Sequence, residues 1–431
     1  SRYQSIVRWP QIINQKAKDL YLGPQLGVDE ETGYPIYNAP LSNFYRPLTR
    51  AEYDSISAYT EYRPYSWTNN LQATVTNGEL FQLPAGPVGI AVVAEYGKQG
   101  YNLRPDPLAL TDYYYSWKDS DGKGKRSHAA VGGEVRVPVL DMLTLSGAAR
   151  YDTFGFAGRD VGKFTYNAGL EFRPANSLLF RAAYGTAFRA PDLHYVFTGP
   201  GNVEGGVIDY YTCRQDTPGA SDSDCEDYDV DVVVQRNGSR DLKPETGKSL
   251  TAGFVFSPSS RLSLSVDYFR VTLDNQVDDL SIDQLAREEA DCRPDGDGDT
   301  VLSPTSATCL AALSRINRFT SGSSEGEIST IAVNPINISR ERTSGIDIAF
   351  RGSLPTDFGT FTLSLAHSHV LDHKYQQYPG DPFISKLAVD SGYRTPRDKS
   401  NGSISWENEG LQFTFSGTRL GKLPNMDRDA F

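Results

Sequence analysis

Long hydrophobic runs are missing from this chain. Its longest apolar stretch, Ile90-Ala-Val-Val-Ala94, is far short of the ~20 residues that a membrane-spanning helix needs. That leaves two options: a chain that stays in water, or one that crosses lipid as strands of ~9–11 residues each. Methionine (2) and histidine (5) are scarce, and no Walker loop or His-Glu-x-x-His motif occurs, so nothing in the sequence favours an enzyme. No C-x-x-C pair is present, which argues against a structural zinc site. The net charge of −12 disfavours nucleic acid as a partner.

Alternation is abundant. In Leu143-Thr-Leu-Ser-Gly-Ala-Ala-Arg-Tyr151 and Phe164-Thr-Tyr-Asn-Ala-Gly-Leu-Glu-Phe172, apolar or aromatic residues fall at every second position, with small, polar or charged ones between. A period of two is the mark of a strand with two unlike faces. Twelve such segments are expected: 69–80, 87–98, 128–137, 143–153, 163–173, 177–187, 248–257, 261–271, 342–353, 359–369, 399–407 and 411–418. Short turns carrying Pro, Gly or Asn join them in pairs, for example Arg173-Pro-Ala-Asn-Ser177 and Glu407-Asn-Glu-Gly410. Most of the alternate connectors are long excursions: 97–127, 188–247, 272–341 and 370–398, with 154–162 the short exception. Short turns on one rim and long loops on the other are the connector pattern of a bacterial outer-membrane barrel. Residues 1–68 read as part of an outer loop region, 69–419 as barrel strands with their loops, and 420–431 as the start of a further loop.

The two faces decide between a barrel and a sandwich. One face reads Leu262, Leu264, Val266, Tyr268, and another Leu250, Ala252, Phe254, Phe256. The opposite faces carry Glu95, Glu134, Arg136, Arg150, Glu171, Arg181, Asp267, Asp347 and Arg351 in mid-strand. In a sandwich the apolar face would meet a second sheet; in a membrane barrel it meets lipid and the charged face lines a wet lumen. Flanking aromatics favour the all-β, transmembrane antiparallel barrel.

The connectors hold the candidate sites. Cys213 and Cys225 share one loop, and Cys292 and Cys309 another; two local disulfides are the simplest of three pairings and imply an oxidising compartment. The stretch 209–231 holds eight acids against one base, Arg214. Within it, Tyr210, Tyr211 and Tyr228 are candidate ligand contacts, able to stack on sugars or face cationic groups. Arg189 joins these candidate ligand contacts, and in its Phe-Arg-Ala-Pro run it is also expected to fix the base of that loop. Asp295, Asp297 and Asp299 have the alternate spacing that opens a calcium loop, but Thr300 and Ser306 stand where such a loop needs glycine and a bidentate glutamate, so a solvated turn is favoured. His367, His369 and His373 form a cluster that could suggest a metal, but His367 and His369 share parity with Phe361, Leu363 and Leu365, so those two read as interfacial anchors on the outer face instead.

Gly185-Thr-Ala-Phe-Arg-Ala-Pro191 and Arg240-Asp-Leu-Lys-Pro-Glu-Thr-Gly247 resemble the barrel region of TonB-dependent receptors, as do 79–96 and 161–174. The resemblance runs from about Glu79 to Thr418. It implies part of a barrel of about 22 strands, energy-coupled import of a scarce nutrient (siderophore, cobalamin, glycan or peptide), and the TonB–ExbB–ExbD complex as partner through a plug. Outer-membrane lipid and lipopolysaccharide would surround it. The final segment, Gly421 to Phe431, does not alternate, so the chain reads as a barrel piece without its closing strand. A passive porin and a secreted β-sandwich adhesin or carbohydrate-binding protein are the competing expectations.

Overall fold

The computed structural model describes residues 1–431 except 31–32, 280, 295–300, 323, 380, 388–394 and 424–431. The twelve expected strands are all present: β1 Tyr65–Leu83, β2 Gly86–Asn102, β3 Lys123–Leu140, β4 Leu143–Phe156, β5 Arg159–Ala175, β6 Leu178–Arg189, β7 Glu245–Ser259, β8 Leu262–Asp278, β9 Ile336–Thr356, β10 Gly359–Gln376, β11 Asp398–Asn408 and β12 Leu411–Leu420. Each pairs antiparallel with the next in chain order, forming one continuous wall. This is the β-barrel architecture. The turns at one rim are tight. Glu409 and Gly410, for example, both adopt positive φ between β11 and β12, the twist-matched geometry of a two-residue hairpin.

The wall strands run further outward than their apolar alternation. β9 has 21 residues and β1 has 19. An apolar band of ~25 Å uses only about half of such a strand; the rest continues the ladder above it. The turn between β4 and β5, Ala157-Gly158, has φ of 52° and 79°. It closes that hairpin low, so β3 rises past β4: the β3–β4 ladder ends at Ser127–Gly155, whereas β2–β3 continues to Asn102–Lys123.

The apolar face has no second sheet over it. Leu71 is 74% exposed, Val75 73% and Phe415 76%. Phe164, Phe180, Leu365, Ile404 and Phe413 are exposed as well. Aromatic rings run across strands in a row near the turn rim, Phe172–Phe180 and Phe180–Phe254 both at 6.4 Å and Trp406–Phe413 at 5.7 Å. A contiguous exposed apolar face of this extent is the signature of a surface that meets lipid, and it removes the sandwich reading.

The long connectors fold together as a cap with its own core. A five-stranded sheet takes 316–318, 328–332, 229–236, 201–208 and 117–118 in that order, with 229–236 and 328–332 parallel. Helices α1 (Tyr210–Asp216), α2 (Ile282–Cys292) and α3 (Ala307–Arg315) belong to the same unit. Val207, Tyr210, Val232, Leu285, Ala286, Ala290, Ile316, Ile328 and Ile331 pack as one buried cluster drawn from both loops. Residues 1–64 carry two further helices, Asn14–Tyr21 and Arg50–Ile56, a small hairpin of Gln25–Val28 with Pro35–Tyr37, and a two-stranded pairing of Val7–Ile12 with Ser57–Tyr62; Arg2–Gln4 adds to the outer end of β1.

Candidate functional site

The inward face of the wall is a network of paired charges set by strand register. Arg150 on β4 reaches Glu95 on β2 at 2.6 Å and its own neighbour Asp152 at 2.9 Å, and His128 on β3 bonds the same aspartate at 2.9 Å. Farther round, Arg181 on β6 bridges β7 to meet Asp267 on β8 with two contacts, 2.8 and 2.6 Å. Alternating donors and acceptors give a hydrated surface that can bind polar groups, and they neutralise one another in place.

The step beside β4 is different. A cleft of about 900 Å³ opens there, above Ala157-Gly158 and against the outer end of β3. Lys98, Arg104, Lys123, Lys125, Arg126 and Arg159 line it, opposed by Asp160 alone. Tyr65, Trp67, Phe156 and Phe197 supply the apolar surface. Two of the cations are fixed by carbonyls: Arg126 donates to Pro191 O at 2.9 Å, and Arg159 to Leu242 O at 2.6 Å. The Arg159 Nε is buried with no hydrogen-bond partner among the described residues. An anion of moderate size is the ligand this arrangement can hold.

The cap is organised by buried ion pairs. Arg318 sits between Asp209 (contacts of 2.7 and 2.9 Å) and Glu289 (2.7 and 3.1 Å), with the two carboxylates 1% and 0% exposed. Glu289 also takes Arg293 at 2.8 Å. Next to them Glu288 is half-buried; the loss of water around it pushes its carboxyl up to about 7, against the hydrogen bonds it accepts from Gln284 and Gln377, and Asp381 and Asp291 push the same way.

Residues 14–429 match the family described as TonB dependent receptor-like, beta-barrel. The chain belongs to the TonB-dependent receptor family. Solved structures share its fold at low identity. The siderophore receptor PirA from Acinetobacter baumannii is 12% identical with a TM-score of 0.52, over 98% of this chain and 47% of that one. A mutant of the ferric enterobactin receptor PfeA from Pseudomonas aeruginosa gives 14%, 0.53, 98% and 46%. A double mutant of the Serratia marcescens hemophore receptor HasR, in complex with its hemophore HasA and heme, gives 14%, 0.52, 84% and 53%. The chain spans about half the length of these receptors. Among curated proteins no sequence matches it.

Within this TonB-dependent receptor barrel, the residues singled out from sequence fall in varied places. Cys213 bonds Cys225 and Cys292 bonds Cys309, each pair within its own loop, at Cα separations of 5.6 and 5.4 Å. Tyr210 is 1% exposed: its ring packs in the cap core under Arg287 and its hydroxyl donates to Asp283 at 2.8 Å, so it offers no surface to a ligand as placed. Tyr211 lies between Arg293 and Arg318, and Tyr228 donates to Asp216 at 3.3 Å. Arg189, the last residue of β6, spans to Glu245 on β7 at 3.3 Å and Asp192 at 3.4 Å, where it ties the loop's base. Asp295, Asp297 and Asp299 lie outside the described residues. His373 parts from the other two histidines because Leu371 is bulged out of the β9–β10 ladder; it falls opposite Thr343, on the Asp347 side of β9, and pairs with Glu341 at 2.6 Å. The basic cleft went unrecognised in the sequence, since its cations come from four separate segments; only Lys123-Gly-Lys-Arg126 is a local signal.

Proposed function

We propose that this chain forms the wall and cap of a Gram-negative outer-membrane receptor that captures a scarce anionic nutrient and passes it inward with energy from the TonB–ExbB–ExbD complex. The basic cleft carries the reading. Six cations meet one carboxylate there, in a protein of net charge −12, and its aromatic lining suits a ligand with an apolar or ring-bearing body. Ferric siderophores combine those features, and siderophore and heme receptors share the fold. The exposed apolar face would sit among acyl chains and lipopolysaccharide, and plug and TonB contacts would come from parts of the receptor outside this chain.

The test is growth of the producing bacterium under iron limitation on a panel of ferric siderophores, with and without the gene for the full receptor. One siderophore should require both the receptor and TonB. Lys123→Glu with Lys125→Glu should raise the concentration needed for half-maximal growth by tenfold or more while leaving surface expression unchanged. Uptake that persists without TonB would identify a passive pore instead.

A further inference from the structure

We infer that His367, His369 and Asp398 form a binding site for a borderline divalent transition-metal ion of the zinc class on the outward face of the barrel. Two histidines two apart on β10 project to the same side. Register then brings Asp398 of β11 opposite His369, and Ser400 opposite His367. The ligand atoms of the three side chains lie within 4.8 Å of one another. His369 Nδ1 is 2.6 Å from Asp398 Oδ1, and His367 Nε2 is 3.6 Å from the same oxygen. Small side-chain rotations would bring all three onto one ion at the ~2.0–2.2 Å of zinc ligation.

The donor set selects the ion. Two imidazoles and one carboxylate suit zinc, nickel or copper, whereas calcium and magnesium require a shell of oxygens. The Ser400 hydroxyl, 2.9 Å from His367 Nδ1, holds that ring with Nε2 turned to the common centre. Three protein donors leave a fourth position for water, and the histidine side chains are 38% and 37% exposed at the protein surface. Tyr268 of β8 is level with it through Ile346 and His369. Arg419 of β12, opposite Ser400 on the same face, opposes the ion's charge and keeps affinity moderate. Bound there, the ion would clamp the point where β10 and β11 part towards the connector between them: the Val370 N to Arg397 O bond is the next link outward.

The probe is zinc chloride, titrated into untagged, chelator-stripped full receptor in detergent and followed by calorimetry, with cobalt(II) absorption as an independent reading of coordination. One equivalent is expected. His367→Gln with His369→Gln, and separately Asp398→Asn, should each weaken binding at least tenfold. Ser400→Ala should keep the stoichiometry and weaken affinity about tenfold. Calcium chloride should give no saturable heat. Equal zinc uptake by the wild-type receptor and folded variants, judged by unchanged far-ultraviolet dichroism, would overturn the site, as would no uptake by the wild type. Neither outcome bears on transport.

Discussion

Removing Arg318 should open the cap and leave the wall intact. The guanidinium is the shared partner of Asp209 and Glu289, and it also donates to Gly326 O at 2.7 Å. In Arg318→Ala both carboxylates stay buried, with Arg293 on Glu289 as the remaining cation described there. Breaking a buried pair by deleting one partner costs roughly 3–5 kcal/mol, mostly from the stranded charge. At about 1.4 kcal/mol per factor of ten, the cap should open two to three or more orders of magnitude more often. Hydrogen exchange read by mass spectrometry on the receptor in detergent can see this, because local opening sets amide protection. Peptides covering α1 and α2 should lose protection while those from β7 and β8 keep it. A triple variant, Arg318→Met with Asp209→Asn and Glu289→Gln, removes the three charges of the Asp209–Arg318–Glu289 cluster together, leaves only the half-exposed Arg293 to turn to water, and should recover most of the protection. Less than a tenfold change in Arg318→Ala, or equal loss in wall and cap, would refute the claim that this ion pair holds the cap.

Three more outcomes follow from the same geometry. Burial holds the Glu288 carboxyl at about 7, above its ordinary 4.5, so the folded cap retains a proton that the unfolded chain releases; cap stability should fall by on the order of 3 kcal/mol as pH rises from about 4.5 through 7, and Glu288→Gln should flatten that profile in pH-dependent exchange. Replacing Cys292 and Cys309 by serine opens a loop of 17 residues; a cost of about 3 kcal/mol should appear as faster proteolysis within the cap and unchanged heat resistance of the barrel on gels. A side chain at Gly124 would overlap the Phe197 ring, so Gly124→Val should displace the Leu193–Phe197 helix from β3 and raise the protease sensitivity of 190–200, with the wall again unaffected.

Much of the wall was legible because lipid on one side and water on the other impose a period of two on every strand. The turn-side ends at Leu143, Gly359 and Leu411 match the expected starts, since tight turns carry their own chemistry. The outer ends do not: β8 was expected to stop at Val271 and reaches Asp278, and β10 extends from His369 to Gln376. Alternation fades where a strand leaves the apolar layer, while its backbone ladder continues. The cap was invisible for another reason. Tyr210 reads as a surface aromatic among acids, and only Asp283 and Arg287, more than seventy residues away, turn it into core. The histidine cluster shows the same limit in reverse, because parity put His367 and His369 on the outer face but could not supply Asp398, which strand register places beside them. The bulge at Leu371, which sends His373 elsewhere, leaves no mark in composition either.

Charge separation gives the fold a direction. The acids that make the chain negative crowd the cap, eight of them between Asp209 and Asp231, and Arg214 and Arg287 already neutralise Asp222, Asp283 and Asp291 there. The unpaired surplus repels an approaching anion. At the step beside β4 the sign reverses, and Lys98, Lys123 and Lys125 have no described carboxylate partner. Opposed fields a short distance apart on one rim focus an anion towards the cleft and slow its binding elsewhere. Such steering weakens within a Debye length of ~8 Å at physiological salt, so it acts on capture rate more than on residence. The low β4–β5 turn is therefore the structural cause of the charge asymmetry: a longer loop there would cover the outer end of β3 and bury the cations that the rim now presents.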